Sequence, residues 1–173
     1  MRRPIKIFLS LLFISAFLFL SYRTINKIAF KNEVKKNIKT IPAFLYQNIK
    51  GGVFTNQNLK TETSVIFIYF NTECEYCNEE AQMIHQHIKK FGNVQILFIS
   101  FENIEQIKKF AQNHQLINHD NVHFLHDSKN TFASTFDINS LPGLLLYDRN
   151  QNLIEKVKGQ TKPEILIKKL NNE

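Results

Sequence analysis

Apolar and polar positions fall along this chain in blocks that separate strands from helices. Ser64 to Phe70 and Val94 to Phe101 are near-continuous apolar runs, the pattern of central strands covered on both faces. Between them the spacing predicts a helix from about Glu75 to Phe91, closed by Gly92 as its C-terminal cap. Ile104, Ile107, Lys108, Phe110 and Ala111 mark a second helix, with Asn103 as its cap. Val122 to Leu125 reads as a short strand, and Thr131 to Phe136 as a short helix behind Asp127-Ser128. Leu144 to Tyr147 and Leu153 to Val157 pair as a hairpin around Asp148 to Gln151. A last helix runs from about Pro163 to Leu170, with Thr161 as N-cap and Pro163 in its first turn. Past Ile41-Pro42, Ala43 to Tyr46 and Val53 to Thr55 flank Gly51-Gly52 and predict a small entrance hairpin. Strands alternating with helices and ending in a hairpin and a helix imply a three-layer α/β/α domain with a mixed sheet over residues 40–173.

Residues 1–22 have a different pattern. Arg2, Arg3 and Lys6 precede an uncharged run from Ile7 to Leu20, which reads as a membrane anchor or an uncleaved signal. With Ser21 and Tyr22 included, and Lys6 and Arg23 snorkelling outward, the run makes a short span. It leaves through Phe19-Leu20-Ser21-Tyr22-Arg23, with no Ala-x-Ala-like cleavage site. A removed signal and a buried core helix are the competing readings. Residues 23–39 form a basic tether that reads as a helical stalk and brings charge to lipid head groups.

Charge changes the picture once it is divided along the chain. The net charge is +7, but residues 1–39 hold nine Lys/Arg against Glu33 alone, leaving −1 for the rest. Nothing in the main domain calls for nucleic acid. For orientation, three basic residues precede the span and six follow it, which read strictly puts the domain in the cytoplasm. The uncharged core behind Arg-Arg argues for export.

The chemistry lies in the only two cysteines, Cys74-Glu75-Tyr76-Cys77, directly after the first apolar run. A lone pair at this spacing is a redox switch or half of a metal site. A strand that delivers it to a helix N-terminus favours a thiolate at Cys74, the exposed attacking thiol, with Cys77 resolving one turn further in. Leu141-Pro142-Gly143, just before the Leu144 strand, supplies the second half of such a site.

On these residues the chain resembles the thioredoxin-like superfamily, and within it the membrane-anchored TlpA/ResA-type thiol-disulfide oxidoreductases. The resemblance covers about residues 40–173. It includes the Pro42-Ala43-Phe44 entrance, the Cys74–Cys77 pair, Pro142, Gly159 and the additional Val122 strand. It implies a thioredoxin-like α/β/α sandwich with an N-terminal β-hairpin extension and an N-terminal transmembrane helix. It implies a cis-proline at Pro142 facing a redox-active Cys74–Cys77 disulfide, with no other cofactor and no metal. Glu80 would exchange protons with Cys77, while Glu75, Tyr76 and Leu141 would meet the substrate. The implied partners are protein thiols or disulfides, apocytochrome c among them, and a membrane-embedded thiol electron donor. The implied location is the inner (cytoplasmic) membrane, single-pass, with the domain on the periplasmic or extracytoplasmic side. The chain departs from the family pattern at Glu73, Tyr76, Gln82 and Gly143.

Glu73, Glu75, Glu79 and Glu80 surround the cysteines, with no Lys or Arg in residues 71–80. Negative neighbours oppose a thiolate, favour the disulfide and predict a reducing poise. Glu75 also fits a Thr72-x-x-Glu75 capping box, and Glu79 reads as a solvated helix residue. A zinc site lacks ligands, because the six histidines are scattered. Copper delivery through the two thiolates is the competing class. A peroxidase needs a threonine at a spacing that Thr72 does not keep, together with a nearby arginine.

Overall fold

A computed structural model describes residues 2–171. It divides into two units, an N-terminal helix and a compact body that begins at Ile38. The helix, α1 (Arg2–Asn37), is unbroken, so the segment read as a tether is helical as far as Asn37. Its Leu11–Asn37 portion is long and apolar enough to cross a membrane, with mean hydropathy 1.3 over its best window.

The body is built on one seven-stranded sheet. In chain order the strands are β1 (Leu45–Asn48), β2 (Val53–Thr55), β3 (Val65–Tyr69), β4 (Gln95–Ser100), β5 (Val122–His126), β6 (Gly143–Tyr147) and β7 (Leu153–Lys158). Their spatial order is β2-β1-β5-β4-β3-β6-β7. The central β3, β4 and β5 run parallel, and the flanking strands pair antiparallel. The helices are α2 (Glu75–Phe91), α3 (Ile104–Asn113), α4 (Phe132–Thr135) and α5 (Pro163–Asn171). The entrance strand begins two residues later than its apolar pattern implies, because Phe44 turns inward and stacks on Tyr46.

Both faces of β3 are buried, which is why its sequence is apolar without alternation. Ile66, Ile68 and Phe70 pack with Phe98 and Phe124 under Ile84, Phe110 and Leu166 from α2, α3 and α5. The opposite face is aromatic. Phe67 meets Phe44, Phe132, Phe136 and Tyr147, and Phe132 belongs to the short α4. Asp127 is buried, and its Oδ2 accepts from the Phe132 N–H at 2.7 Å, so it starts α4 although Thr131 holds the cap position.

Asn103 caps α3 as its position implies, its side chain accepting from Gln106 N–H at 2.9 Å. Two other caps differ from the sequence reading. Cys74, not Thr72, is the N-cap of α2, because Thr72 is drawn sideways to Glu102. The carbonyl that opens α5 is that of Lys162, which accepts from Ile165 N–H at 3.0 Å and Leu166 N–H at 3.3 Å. Thr161 turns its own N–H to Glu80 instead.

Candidate active site

The polypeptide leaves β3 at the end of the sheet where α2 begins. Phe70 still donates to the Ile99 carbonyl at 3.0 Å, and the next residues form a tight polar turn. Asn71 accepts from Glu73 N–H through Oδ1 at 2.9 Å and from Cys74 N–H through its carbonyl at 3.3 Å. Thr72 gives its N–H to Glu102 Oε2 at 2.7 Å and its hydroxyl to Oε1 at 2.9 Å. Cys74 then adopts extended backbone, φ −74° and ψ 116°, and caps the helix. Its Sγ accepts from the Cys77 N–H at 3.3 Å.

The two thiols are free and unequal. Cys74 is partly exposed, whereas Cys77 is 1 % exposed and lies in the core cluster beside Ala81 and Ile84. Burial pushes the Cys77 thiol far up from its ordinary range. Its hydrogen bond to Cys74 and the negative charges of Cys74 and Glu80 add to that, and the Asn71 N–H opposes it.

Glu80 lies one helical turn beyond Cys77 and is 0 % exposed. Burial raises its carboxyl to about 7, an effect only partly offset by the Thr161 N–H on Oε2 at 2.7 Å. Oε1 has no hydrogen-bond partner among the described residues. A buried carboxyl with one satisfied oxygen, poised near neutrality and felt electrostatically by a buried thiol, is equipped to hold or release a proton there.

The Leu141–Pro142 peptide bond is cis, as the resemblance implies. Gly143, the next residue, pairs with Tyr69 of β3, so the buried Pro142 stands at the strand end from which the cysteine turn departs. The Pro142 carbonyl accepts from Gly159 N–H at 2.8 Å, and Leu141 packs on the same core cluster as Cys74. A Cβ on residue 143 would come within 2.6 Å of Ile138 Cγ2. Ile138 therefore fills the space that a side chain there would occupy. Of the remaining expected site residues, Tyr76 is 60 % exposed on the first turn of α2, and Glu73, Glu75 and Glu79 are exposed around it.

Sequence reasoning missed Glu102, Asn78, His114 and the use of the Thr161 N–H. The bonds Thr72–Glu102, Asn78–His114 and Thr161–Glu80 span 30 to 81 residues, so no local pattern signals them. Among the described residues, no group of three or more His, Cys, Asp or Glu side chains is arranged to hold a metal ion.

Comparison with known proteins agrees with this geometry. No curated protein matches the sequence. A secreted disulfide oxidoreductase of Mycobacterium tuberculosis, homologous to E. coli DsbE, superposes with TM-score 0.63 at 15 % identity over 78 % of this chain and 96 % of its own. StoA from Bacillus subtilis superposes with TM-score 0.60 at 16 % identity over 76 % and 98 %. The peroxidoxin BcpB of Mycobacterium tuberculosis superposes with TM-score 0.65 at 16 % identity over 76 % and 93 %. These likenesses establish the thioredoxin-like fold. The AhpC/TSA family pattern matches residues 38–156, so the chain belongs to the AhpC/TSA family, within the thioredoxin-like superfamily.

Proposed function

We propose that the protein is a membrane-anchored thiol-disulfide oxidoreductase that reduces disulfides of extracytoplasmic proteins, apocytochrome c being one candidate client. The observation that carries this is the inequality of the two sulfurs: Cys74 open at the mouth of α2, Cys77 buried behind it beside Glu80. In this reading the Cys74 thiolate attacks one sulfur of a client disulfide. A mixed disulfide forms, and the first client sulfur leaves as a thiolate that takes a proton from solvent. Cys77 then gives its proton to Glu80 and attacks Cys74 Sγ. The Cys74–Cys77 disulfide forms, the second client thiol is released, and two electrons have passed to the client. A membrane-embedded dithiol donor restores the pair. Glu75 and Tyr76, next to Cys74 in the chain, and Leu141, before the cis-proline, would meet the client.

The same burial supports the reducing direction. A strong oxidant of this fold stabilises its reduced form by ionising a thiol. Here burial and the negative charge of Glu80 hold Cys77 protonated, so the reduced state gains nothing from ionisation at that sulfur. The homologue-like secreted oxidoreductase and the α1 segment support an extracytoplasmic site.

The likeness to a peroxidoxin raises peroxide reduction as a rival. That chemistry benefits from a cation that holds the attacking thiolate. The one arginine after residue 37 is Arg149, in the β6–β7 turn beyond Tyr147 and so at the opposite end of β6 from Gly143. Disulfide exchange is the better fit.

The experiment is a trap. With Cys77→Ala in the native membrane, Cys74 should accumulate mixed disulfides with exported proteins. No captured protein, together with turnover of hydrogen peroxide by the wild-type chain, would reverse the assignment. A dithiol midpoint near that of thioredoxin supports reduction, and one near DsbA's would refute it.

A further inference from the structure

The backbone around Cys74 is held by a hydrogen-bond chain that begins 40 residues downstream. Asn78, one residue past Cys77, sends one amide hydrogen to the Thr72 carbonyl at 3.0 Å and the other to the Cys74 carbonyl at 2.9 Å. Both donors of its Nδ2 are therefore committed, and Oδ1 is left as an acceptor. His114 Nε2 stands 2.9 Å from that oxygen and so presents an N–H to it. The reverse orientation of the amide would set its oxygen against two carbonyls.

His114 is itself fixed. It closes α3, its backbone N–H donating to the Phe110 carbonyl at 3.1 Å, and its ring lies 4.4 Å from the Phe110 ring. Burial and the neighbouring His85 lower its proton affinity, which favours the neutral ring.

The chain ends on an unusually loaded carbonyl. That of Cys74 accepts from Cys77 N–H at 3.1 Å, from Asn78 N–H at 3.0 Å and from Asn78 Nδ2 at 2.9 Å. The first two are what any N-cap carbonyl receives; the third is specific to this side chain. Because Thr72 is held through its N–H by Glu102 and through its carbonyl by Asn78, the main chain of the reactive turn is fixed on both sides of Glu73. The Cys74 sulfur, which must face first a client sulfur and then Cys77, is left to move about its side-chain torsion alone.

We propose that His114 and Asn78 are positioning residues for thiol-disulfide exchange: His114 orients the Asn78 amide, and Asn78 holds the Thr72–Cys74 main chain so that Cys74 Sγ is presented alike to client and to Cys77. This rests on the exchange function proposed above. Neither residue touches the reacting sulfurs. Asn78 acts through the backbone and His114 through Asn78.

The test uses the full chain, reduced and purified in detergent. Two quantities are read: the rate at which Cys74 attacks the chromogenic disulfide of nitrothiobenzoate, and the equilibrium constant of the dithiol with glutathione. His114→Phe should slow the attack about tenfold and shift the equilibrium constant about threefold. His114→Gln, which retains an N–H donor, should recover most of both. Asn78→Ala should match His114→Phe, and combining the two should add nothing further, because one acts through the other. If Asn78→Ala does not fold, Asn78→Gln replaces it, since a methylene displaces the amide from both carbonyls. His114→Phe with wild-type rate and equilibrium would overturn the proposal, as would effects that simply add in the double variant. A wild-type chain that exchanges with neither reagent would instead remove the exchange function on which the proposal stands.

Discussion

The two faces of the central sheet solve burial differently. One face is closed by α2, α3 and α5 and carries the Cys77–Glu80 pair. The other is closed chiefly by aromatic rings and carries His123, against Phe54 with ring centroids 4.8 Å apart. Burial acts on an ionisable group in each case and drives it toward its neutral form. On the helical face that raises Glu80 to about 7. On the aromatic face it lowers His123 to about 4, with Lys50 and Lys60 adding to the effect and Asp120 opposing it. One physical cause therefore sets opposite pH limits. Only the helical face puts its displaced proton next to a sulfur.

Emptying the aromatic face should give the largest effect. Phe67 is fully buried among four rings, and Phe67→Ala should cost about 4 kcal/mol in urea unfolding followed by tyrosine fluorescence. The folded remainder should still exchange disulfides, because the rings that Phe67 meets belong to residues outside the cysteine turn; loss of exchange ahead of unfolding would show that the two faces are not independent.

Glu80 is next. Its folded value lies above the unfolded value of 4.5, so its contribution to stability is full below pH 4.5 and is lost as pH rises through about 7. Glu80→Gln keeps an acceptor for Thr161 N–H, and should stabilise the fold by about 3 kcal/mol at pH 8 with little change at pH 4. Resolution of a mixed disulfide by Cys77 should lose its inflection near pH 7 in the same variant. A retained inflection would assign it elsewhere.

His123 should have the reverse dependence. Its folded value is below the unfolded 6.5, so the stability it permits is present above pH 6.5 and lost as pH falls toward 4. Part of the ring reaches solvent, which moderates the size. His123→Phe should flatten the acid limb of the stability profile and leave the limb above neutrality untouched.

The smallest change probes packing between β6 and the aromatic layer. Gly143→Ala would press Ile138 and should cost about 1 kcal/mol, and the same change should cost much less in an Ile138→Ala background. Additive losses would argue against that contact.

What was readable in the sequence follows from range. Runs of apolar residues, Gly92, Asn103 and the Asp148–Gln151 turn act over a few positions, and each does what its pattern implies. The cysteine pair at a helix start was readable for the same reason. The Thr72-x-x-Glu75 box failed because Glu102, 30 residues on, competes for Thr72 with two hydrogen bonds. Thr161 is not the cap its position implies, because its N–H finds an acceptor in Glu80, 81 residues away. Doubly buried strands also hide which residues share a face, so the division into helical and aromatic layers needed coordinates. Gly143 departs from the family pattern, and Ile138 together with the Ser140 carbonyl explains it.

The bond from Thr161 N–H to Glu80 carries a consequence of its own. It ties one amide, just ahead of the C-terminal helix, to the carboxyl that would accept the Cys77 proton. Nuclear magnetic resonance of that nitrogen therefore offers a native reporter of proton traffic, with no label attached to either sulfur.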